Sequence, residues 1–71
     1  MSKIPATLIP GDGIGPEIVQ ATLMVLDALQ APFEWEQQLA GVAAEESAGD
    51  PLPQQTLDSI RKTRLALKGP L

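Results

Sequence analysis

Two short segments of this 71-residue chain contain residues whose types and spacing could do chemistry. The first is residues 11–17, Gly-Asp-Gly-Ile-Gly-Pro-Glu, in which three glycines at alternate positions let the backbone adopt positive φ and come close to another group. The second is residues 67–71, in which Lys68 precedes a Gly-Pro turn. A lysine in that position can present a flexible ammonium group to an anionic substrate. Together the segments indicate a ligand site built from bare backbone and one cation.

The spacing of the glycines excludes two common nucleotide-binding motifs. A dinucleotide-binding fingerprint that started at Gly11 and Gly13 needs its third glycine at position 16, where this chain has Pro16. A P-loop needs Gly-Lys-Ser/Thr at the start of a helix, whereas residues 68–69 read Lys-Gly and are followed by proline. A simpler explanation stays open for both segments: the glycines form only a tight structural turn, and Lys68 is only a solvated lysine at a strand end.

The glycine segment is expected to lie between a strand and a helix. The apolar run at residues 6–9 predicts a short buried strand. A helix should begin at about Pro16, because proline pre-sets a helical φ and Glu17 places negative charge at the positive end of the helix dipole. Pro32 should end it. The apolar stripe predicted to face the core comprises Ile18, Ala21, Thr22, Val25, Leu26 and Leu29.

The second half of the chain continues the same alternation. A strand is expected at residues 33–39, with Glu34 and Glu36 on its wet face, and a short helical turn at 41–47. A shallow helix should run from about residue 53 to 62 or 63, anchored by Leu57 and Ile60. A last strand is expected at 65–67. The order strand, helix, strand, helix, strand predicts an α/β fold with a parallel sheet. Both chemistry-bearing segments then follow strands at the carboxyl edge of that sheet, where ligands of such sheets bind.

Composition limits what the chain can do. With 71 residues, 44% hydrophobic but only 3% aromatic, it forms at most one small domain, and without cysteine or histidine it has no disulfide or zinc staple. A net charge of −4 argues against nucleic acid and anionic membranes as partners. The sequence contains neither a signal-peptide core nor an apolar stretch of the ~20 residues that span a membrane. These features predict a cytoplasmic protein.

Residues 11–17 resemble the N-terminal signature of the β-decarboxylating dehydrogenases, the family of isocitrate, 3-isopropylmalate, homoisocitrate and tartrate dehydrogenases. Residues 67–71, Leu-Lys-Gly-Pro-Leu, resemble the segment of isocitrate dehydrogenases that runs into a Thr-Thr-Pro cofactor loop. Residues 50–53 and 56–60 also fit the isocitrate branch. The resemblance covers essentially the whole chain.

This resemblance implies a fold and an activity. The fold would be the N-terminal β-α-β-α-β part of an isocitrate/isopropylmalate dehydrogenase-like fold, not a Rossmann fold, with residues 1–71 forming one partial domain of a longer enzyme. The activity would be oxidation of isocitrate by hydride transfer to NAD, favoured over NADP, followed by decarboxylation to 2-oxoglutarate assisted by Mg²⁺ or Mn²⁺. The parent enzyme would be a homodimer or a higher homo-oligomer.

The resemblance also assigns roles to individual residues. Lys68 matches a lysine near the substrate carboxylate and the nicotinamide, and Ile14 and Leu71 match positions at the bound cofactor. Asp12 fits a mainly structural role, and Glu17 a role at the helix dipole. No catalytic or metal-binding residue is assigned, because the family's proton-transfer groups and metal aspartates come later than Leu71. The chain is therefore expected to be an inactive fragment that binds no cofactor or metal by itself.

Two alternatives stay open. One is the same family with 3-isopropylmalate, homoisocitrate or tartrate as substrate. The other is a complete small interaction module whose unpaired strand edges dock to a partner chain. A module should fold cooperatively, alone or with its partner, whereas a fragment should be mostly disordered.

Overall fold

The three strands of the protein form one parallel sheet in the order β2-β1-β3, with β1 in the centre. The structure is a computed structural model and describes residues 3–71. Its elements are β1 (Ile4–Ile9), α1 (Gly15–Ala28), β2 (Phe33–Gln37), α2 (Val42–Ala48), α3 (Gln54–Thr63) and β3 (Ala66–Lys68). The predicted α/β class and the order of elements are confirmed, and the helical turn expected at 41–47 is the short helix α2.

Helix α1 begins where it was predicted but turns a different face to the sheet. The residues buried along it are Gly15 and Val19. The predicted stripe was wrong, because Ile18, Val25 and Leu29 are 46%, 59% and 72% exposed. The helix is apolar over more than half of its circumference, so its sequence pattern alone does not select the packed face. Among residues 3–71, no helix is long and apolar enough to cross a membrane.

The core lies on both sides of β1, since successive strand residues point to opposite faces. Ala6, Thr7, Leu8 and Ile9 are all buried. Leu8 lies with Val19 of α1 on one side of the sheet. Thr7 contacts α3 on the other side. Helices α1 and α3 therefore cover opposite faces of the sheet.

Helix α3 packs on β1 through hydroxyl groups as well as through its apolar anchors. Its buried residues are Thr56 and Ser59, whereas Leu57 and Ile60 are only half-buried. The hydroxyl of Thr7, which is fully buried, lies 2.8 Å from that of Ser59 and 2.8 Å from that of Thr63. We call Thr7, Ser59 and Thr63 the hydroxyl cluster. It gives the helix a directional attachment to the central strand.

One ion pair joins β2 to α3. The Lys62 ammonium lies 2.7 Å from the Glu36 carboxylate, so Glu36, which was expected only on the wet face of the strand, is paired with a residue of α3. The hydrogen bonds that Glu36 accepts from Lys62 and from Ser59 hold the pKa of its carboxyl below the usual value. Because Lys62 is 68% exposed, the pair is screened by solvent and contributes little to stability.

Substitution of Thr7 by valine should destabilise the protein by about 1–3 kcal/mol, because two hydrogen bonds of a buried hydroxyl, to Ser59 and to Thr63, are lost while the shape of residue 7 is retained. Urea unfolding of the longer enzyme that is expected to contain this chain, with and without the substitution, gives the difference. Thr22→Val is the matched control: the Thr22 hydroxyl bonds only to the Ile18 carbonyl of its own helix, so its loss should cost about 0.5 kcal/mol or less. Equal losses for the two variants would contradict a structural role of the hydroxyl cluster.

Candidate functional site

The two segments singled out in the sequence meet at the carboxyl edge of the sheet. Gly69 N–H donates to the Ile9 carbonyl at 2.8 Å and continues the pairing of β3 with β1. Beyond it, Asp12 N–H donates to the Pro70 carbonyl, also at 2.8 Å. We call this line of backbone contact between residues 10–15 and 69–71 the seam. The structure therefore brings together the two segments that the sequence predicts to share a site.

The seam needs glycine because backbone lies directly on backbone. A Cβ atom on Gly69 would lie 2.9 Å from the Pro10 carbonyl carbon and 3.0 Å from a Val19 methyl group. One on Gly11 would be driven into the Pro70 carbonyl, and Gly11 also has a φ of +88°. Both glycines are thus fixed by close approach, as was expected for a turn that brings bare backbone against another group.

A third segment joins the site through the Asp12 side chain. Its two carboxylate oxygens accept hydrogen bonds from Val42 N–H at 2.9 Å and Ala43 N–H at 3.1 Å, at the start of α2. These bonds link the loop after β1 to the segment after β2. The structural role predicted for Asp12 is confirmed, since its carboxylate satisfies two of the free N–H groups at a helix start.

The predicted site residues lie around the seam with their side chains accessible. Lys68 ends β3, is exposed, and donates from Nζ to the Gly69 carbonyl at 3.0 Å. Ile14 directly precedes α1 and is 67% exposed, and Leu71 is 60% exposed. Glu17 lies in the first turn of α1, as predicted. The roles of Lys68, Ile14 and Leu71 toward substrate and cofactor stay predictions.

The acidic side chains near the site do not form a metal centre. In the part of the chain that the structure describes, no three His, Cys, Asp or Glu side chains converge. Both oxygens of Asp12 already accept backbone N–H groups. Asp50 lies in another turn, where it accepts a hydrogen bond from Leu52 N–H at 2.9 Å.

A depression of about 350 Å³ adjoins the seam between α1 and the strand ends. Its lining is mostly apolar: Leu8, Pro10, Gly11, Pro16, Val19, Gln20, Leu23, Gln37, Leu39 and Ala43. The polar atoms of Gln20 and Gln37 are its main hydrogen-bonding groups. It offers apolar packing beside the glycine loop and no charged side chain.

Sequence reasoning missed the third segment. Gly41 has a φ of +75°, and a Cβ there would collide with the Asp12 carboxylate. The same Cβ would lie 3.1 Å from a Leu71 methyl group. A usable signal existed, because β2 is parallel to β1 and its carboxyl end must reach the same edge of the sheet. The partnership itself, 30 residues apart in sequence, has no local signature.

Comparison with known proteins points to one family. The sequence model of the family "Isocitrate/isopropylmalate dehydrogenase" matches residues 5–71. An isocitrate dehydrogenase [NADP] of Thermus thermophilus is 54% identical over 66 residues, which are 92% of this chain and 13% of that protein. The alpha subunit of a mitochondrial isocitrate dehydrogenase [NAD] of Bos taurus is 46% identical over 67 residues, 92% of this chain and 18% of that protein.

A solved structure supports the same relationship. The crystal structure of isocitrate dehydrogenase from Methylococcus capsulatus superposes with a TM-score of 0.93 and 54% identity. The match covers 100% of this chain and 20% of that one. This chain therefore spans about a fifth or less of the length of these three relatives.

Alanine at position 69 should open the seam, because the atoms that its methyl group would meet belong largely to the backbone of Pro10 and cannot rotate away. Overpacking of this kind costs about 1–3 kcal/mol or more. Thermal unfolding of the longer enzyme that is expected to contain this chain measures the loss. Gly13→Ala is the control in the same loop: a Cβ at Gly13 meets nothing within 4 Å, so only its φ of +56° is penalised, by roughly 1 kcal/mol. A smaller loss at position 69 than at position 13 would contradict the close contact.

Proposed function

Because this chain belongs to the isocitrate/isopropylmalate dehydrogenase family, we propose that it is the N-terminal segment of an enzyme that oxidises isocitrate and decarboxylates it to 2-oxoglutarate. The observation that carries this proposal is the seam, which joins the glycine loop to the Lys68 segment in a chain 54% identical to isocitrate dehydrogenases. The name of each of these relatives supports isocitrate over the other substrates of the family.

The whole enzyme is proposed to be much longer than these 71 residues, with residues 1–71 forming part of its large domain. The chain matches only 13% of the Thermus protein and 20% of the Methylococcus chain. The outer face of α1, which includes Ile18, Val25 and Leu29, is apolar and exposed. We propose that later parts of the enzyme pack on this face. An interaction module is the weaker alternative, because the family match extends over residues 5–71.

Within that enzyme, the residues of this chain bind and orient instead of transferring protons. The Lys68 ammonium is proposed to bind a carboxylate of the substrate, and its exposed position at the carboxyl edge of the sheet supports this role. The exposed side chains of Ile14 and Leu71 fit the apolar surface of a bound nicotinamide cofactor. NAD or NADP, when bound, accepts the hydride from the substrate alcohol.

Residues 3–71, which the structure describes, do not fit a divalent metal. Mg²⁺ and Mn²⁺ need several converging oxygen ligands, and the Asp12 carboxylate is already used by two backbone N–H groups. Metal-assisted decarboxylation is therefore assigned to residues outside this chain.

The cofactor is proposed to be NAD or NADP. The preference for NAD stays a prediction, since the Thermus relative is named for NADP and the bovine relative for NAD. The homodimeric state and the cytoplasmic location also stay predictions.

A chimaeric enzyme tests the proposed function. Residues 1–71 would replace the matching segment of the Methylococcus capsulatus isocitrate dehydrogenase. The two backbones superpose with a TM-score of 0.93. We expect isocitrate-dependent reduction of NAD or NADP within about tenfold of the parent rate, and no comparable activity with 3-isopropylmalate. Steady-state absorbance of the reduced cofactor is the measurement. A folded, inactive chimaera would count against the proposal.

Substitution of Lys68 by methionine in this chimaera should lower kcat/KM for isocitrate by about 100-fold, because a charge-assisted hydrogen bond to a carboxylate contributes up to roughly 3 kcal/mol. The melting temperature should change little, since Lys68 is exposed and bonds only to the Gly69 carbonyl. Arg61→Met on the exposed face of α3 removes the same charge and serves as the control. Rates within a few-fold of the unsubstituted chimaera would overturn the role of Lys68.

A further inference from the structure

Asp12 connects the three segments that meet at the carboxyl edge of the sheet, through its carboxylate to the start of α2 and through its backbone N–H to Pro70. It accepts from Val42 and Ala43 N–H, while its own backbone N–H donates to the Pro70 carbonyl at 2.8 Å. Its carbonyl accepts from Gly15 N–H at 2.8 Å, at the start of α1. Every strong hydrogen-bonding group of this residue is therefore used, and its bonds reach three different stretches of chain.

We propose that Asp12 is a positioning residue that holds Ile14 and Leu71 in place for the cofactor. This inference rests on the proposed function and deepens it. Leu71 directly follows Pro70, to which Asp12 is bonded, and Ile14 lies two residues after Asp12 in the same loop. Displacement of Asp12 would therefore move both sides of the proposed cofactor contact.

Gly41 shows how closely the third segment is fitted to Asp12. A Cβ at position 41 would lie 3.2 Å from the Asp12 carboxylate carbon and nearer still to one oxygen. On its other side the same Cβ would lie 3.1 Å from a Leu71 methyl group. Gly41 thus lies beside both Asp12 and Leu71, so a side chain at position 41 would disturb both residues.

Capping of α2 alone does not account for this arrangement. Helix α2 has only seven residues, and its N-cap residue, Gly41, has no side chain with which to cap it. A serine, threonine, asparagine or aspartate next to α2 would satisfy the same N–H groups locally. The carboxylate instead comes from a residue 30 positions earlier, inside the glycine loop. The bonds therefore link two loops of the site as well as capping the N-terminus of α2.

The test uses Asp12→Asn in the chimaeric enzyme. Asparagine keeps the shape of the side chain, but its amide nitrogen cannot accept a hydrogen bond, so one of the two N–H groups at the start of α2 loses its partner. We expect the KM for NAD(P) to rise about tenfold, the size that corresponds to one lost charge-assisted hydrogen bond, with less than about twofold change in the KM for isocitrate. A purely structural role would lower the melting temperature and the yield of active enzyme without raising the cofactor KM.

Asp58→Asn is the matched control. Asp58 is an exposed aspartate of α3 whose carboxylate bonds only to the Gln54 side chain at 2.9 Å. The same loss of charge there should leave both KM values unchanged. If Asp58→Asn raised the cofactor KM as much as Asp12→Asn, a general charge effect would replace the positioning role.

A double-mutant cycle tests the contact with Gly41. Gly41→Ala should raise the cofactor KM by a larger factor in the presence of Asp12 than in an Asp12→Ala background. The clash with the carboxylate is absent from that background, whereas the backbone strain at a φ of +75° and the close approach to Leu71 remain in both. Additive effects on the logarithm of the cofactor KM would overturn the proposed contact.

Amide hydrogen exchange separates failure of this inference from failure of the proposed function. In the folded chimaera, Asp12→Asn should reduce the protection of the Val42 and Ala43 amides and also of the Asp12 amide, which donates to Pro70. This readout needs no activity, so it applies even to a chimaera that does not act on isocitrate. Protection lost at Val42 and Ala43 but retained at residue 12 would show that Asp12 caps α2 without holding the seam.

Discussion

Direct contact of backbone with backbone at the carboxyl end of β1 is the constraint on which the site depends. Gly69 lies against the Pro10 carbonyl, and Gly11 lies against the Pro70 carbonyl, so no side chain separates the two loops. Backbone atoms cannot change rotamer to relieve a close contact. The distance between the two loops is therefore set by the hydrogen bonds that pair β3 with β1. The side chains predicted to contact substrate and cofactor, at positions 14, 68 and 71, therefore project from two loops whose backbones are in direct contact.

The sequence predicts the elements of this fold well where the signal is local. Pro16, Glu17 and Pro32 mark the ends of α1 to within a few residues, and the predicted order of strands and helices is the observed one. Strand β1 begins two residues earlier than predicted, at Ile4, in spite of Pro5. Proline is tolerated there because β3 pairs only with Thr7–Ile9, so the missing N–H faces a side of β1 that has no neighbouring strand at that level.

The errors arise where tertiary packing chooses between equivalent local patterns. Helix α1 carries apolar residues on two adjoining faces, and only the position of the sheet selects the one centred on Val19. The site shows the same limit. The glycines and Lys68 predict the two segments of the seam. The bonds between Asp12 and α2 join residues 30 positions apart, and no sequence pattern indicates that these residues are partners. Gly41 was readable only as a turn residue, because the group that excludes its Cβ comes from another loop.

The hydroxyl cluster has a consequence for the register of β3. Apolar surfaces slide over one another at small cost, whereas the hydroxyls of Thr7, Ser59 and Thr63 meet in only one alignment of α3 against β1. Since α3 ends at Thr63 and β3 begins at Ala66, that alignment leaves almost no slack in the connection. A slip of one residue would exchange the faces of the sheet on which Leu67 and Lys68 lie. The three hydroxyl groups on the α3 side of the sheet thus help to fix the register of β3, the strand that ends at Lys68.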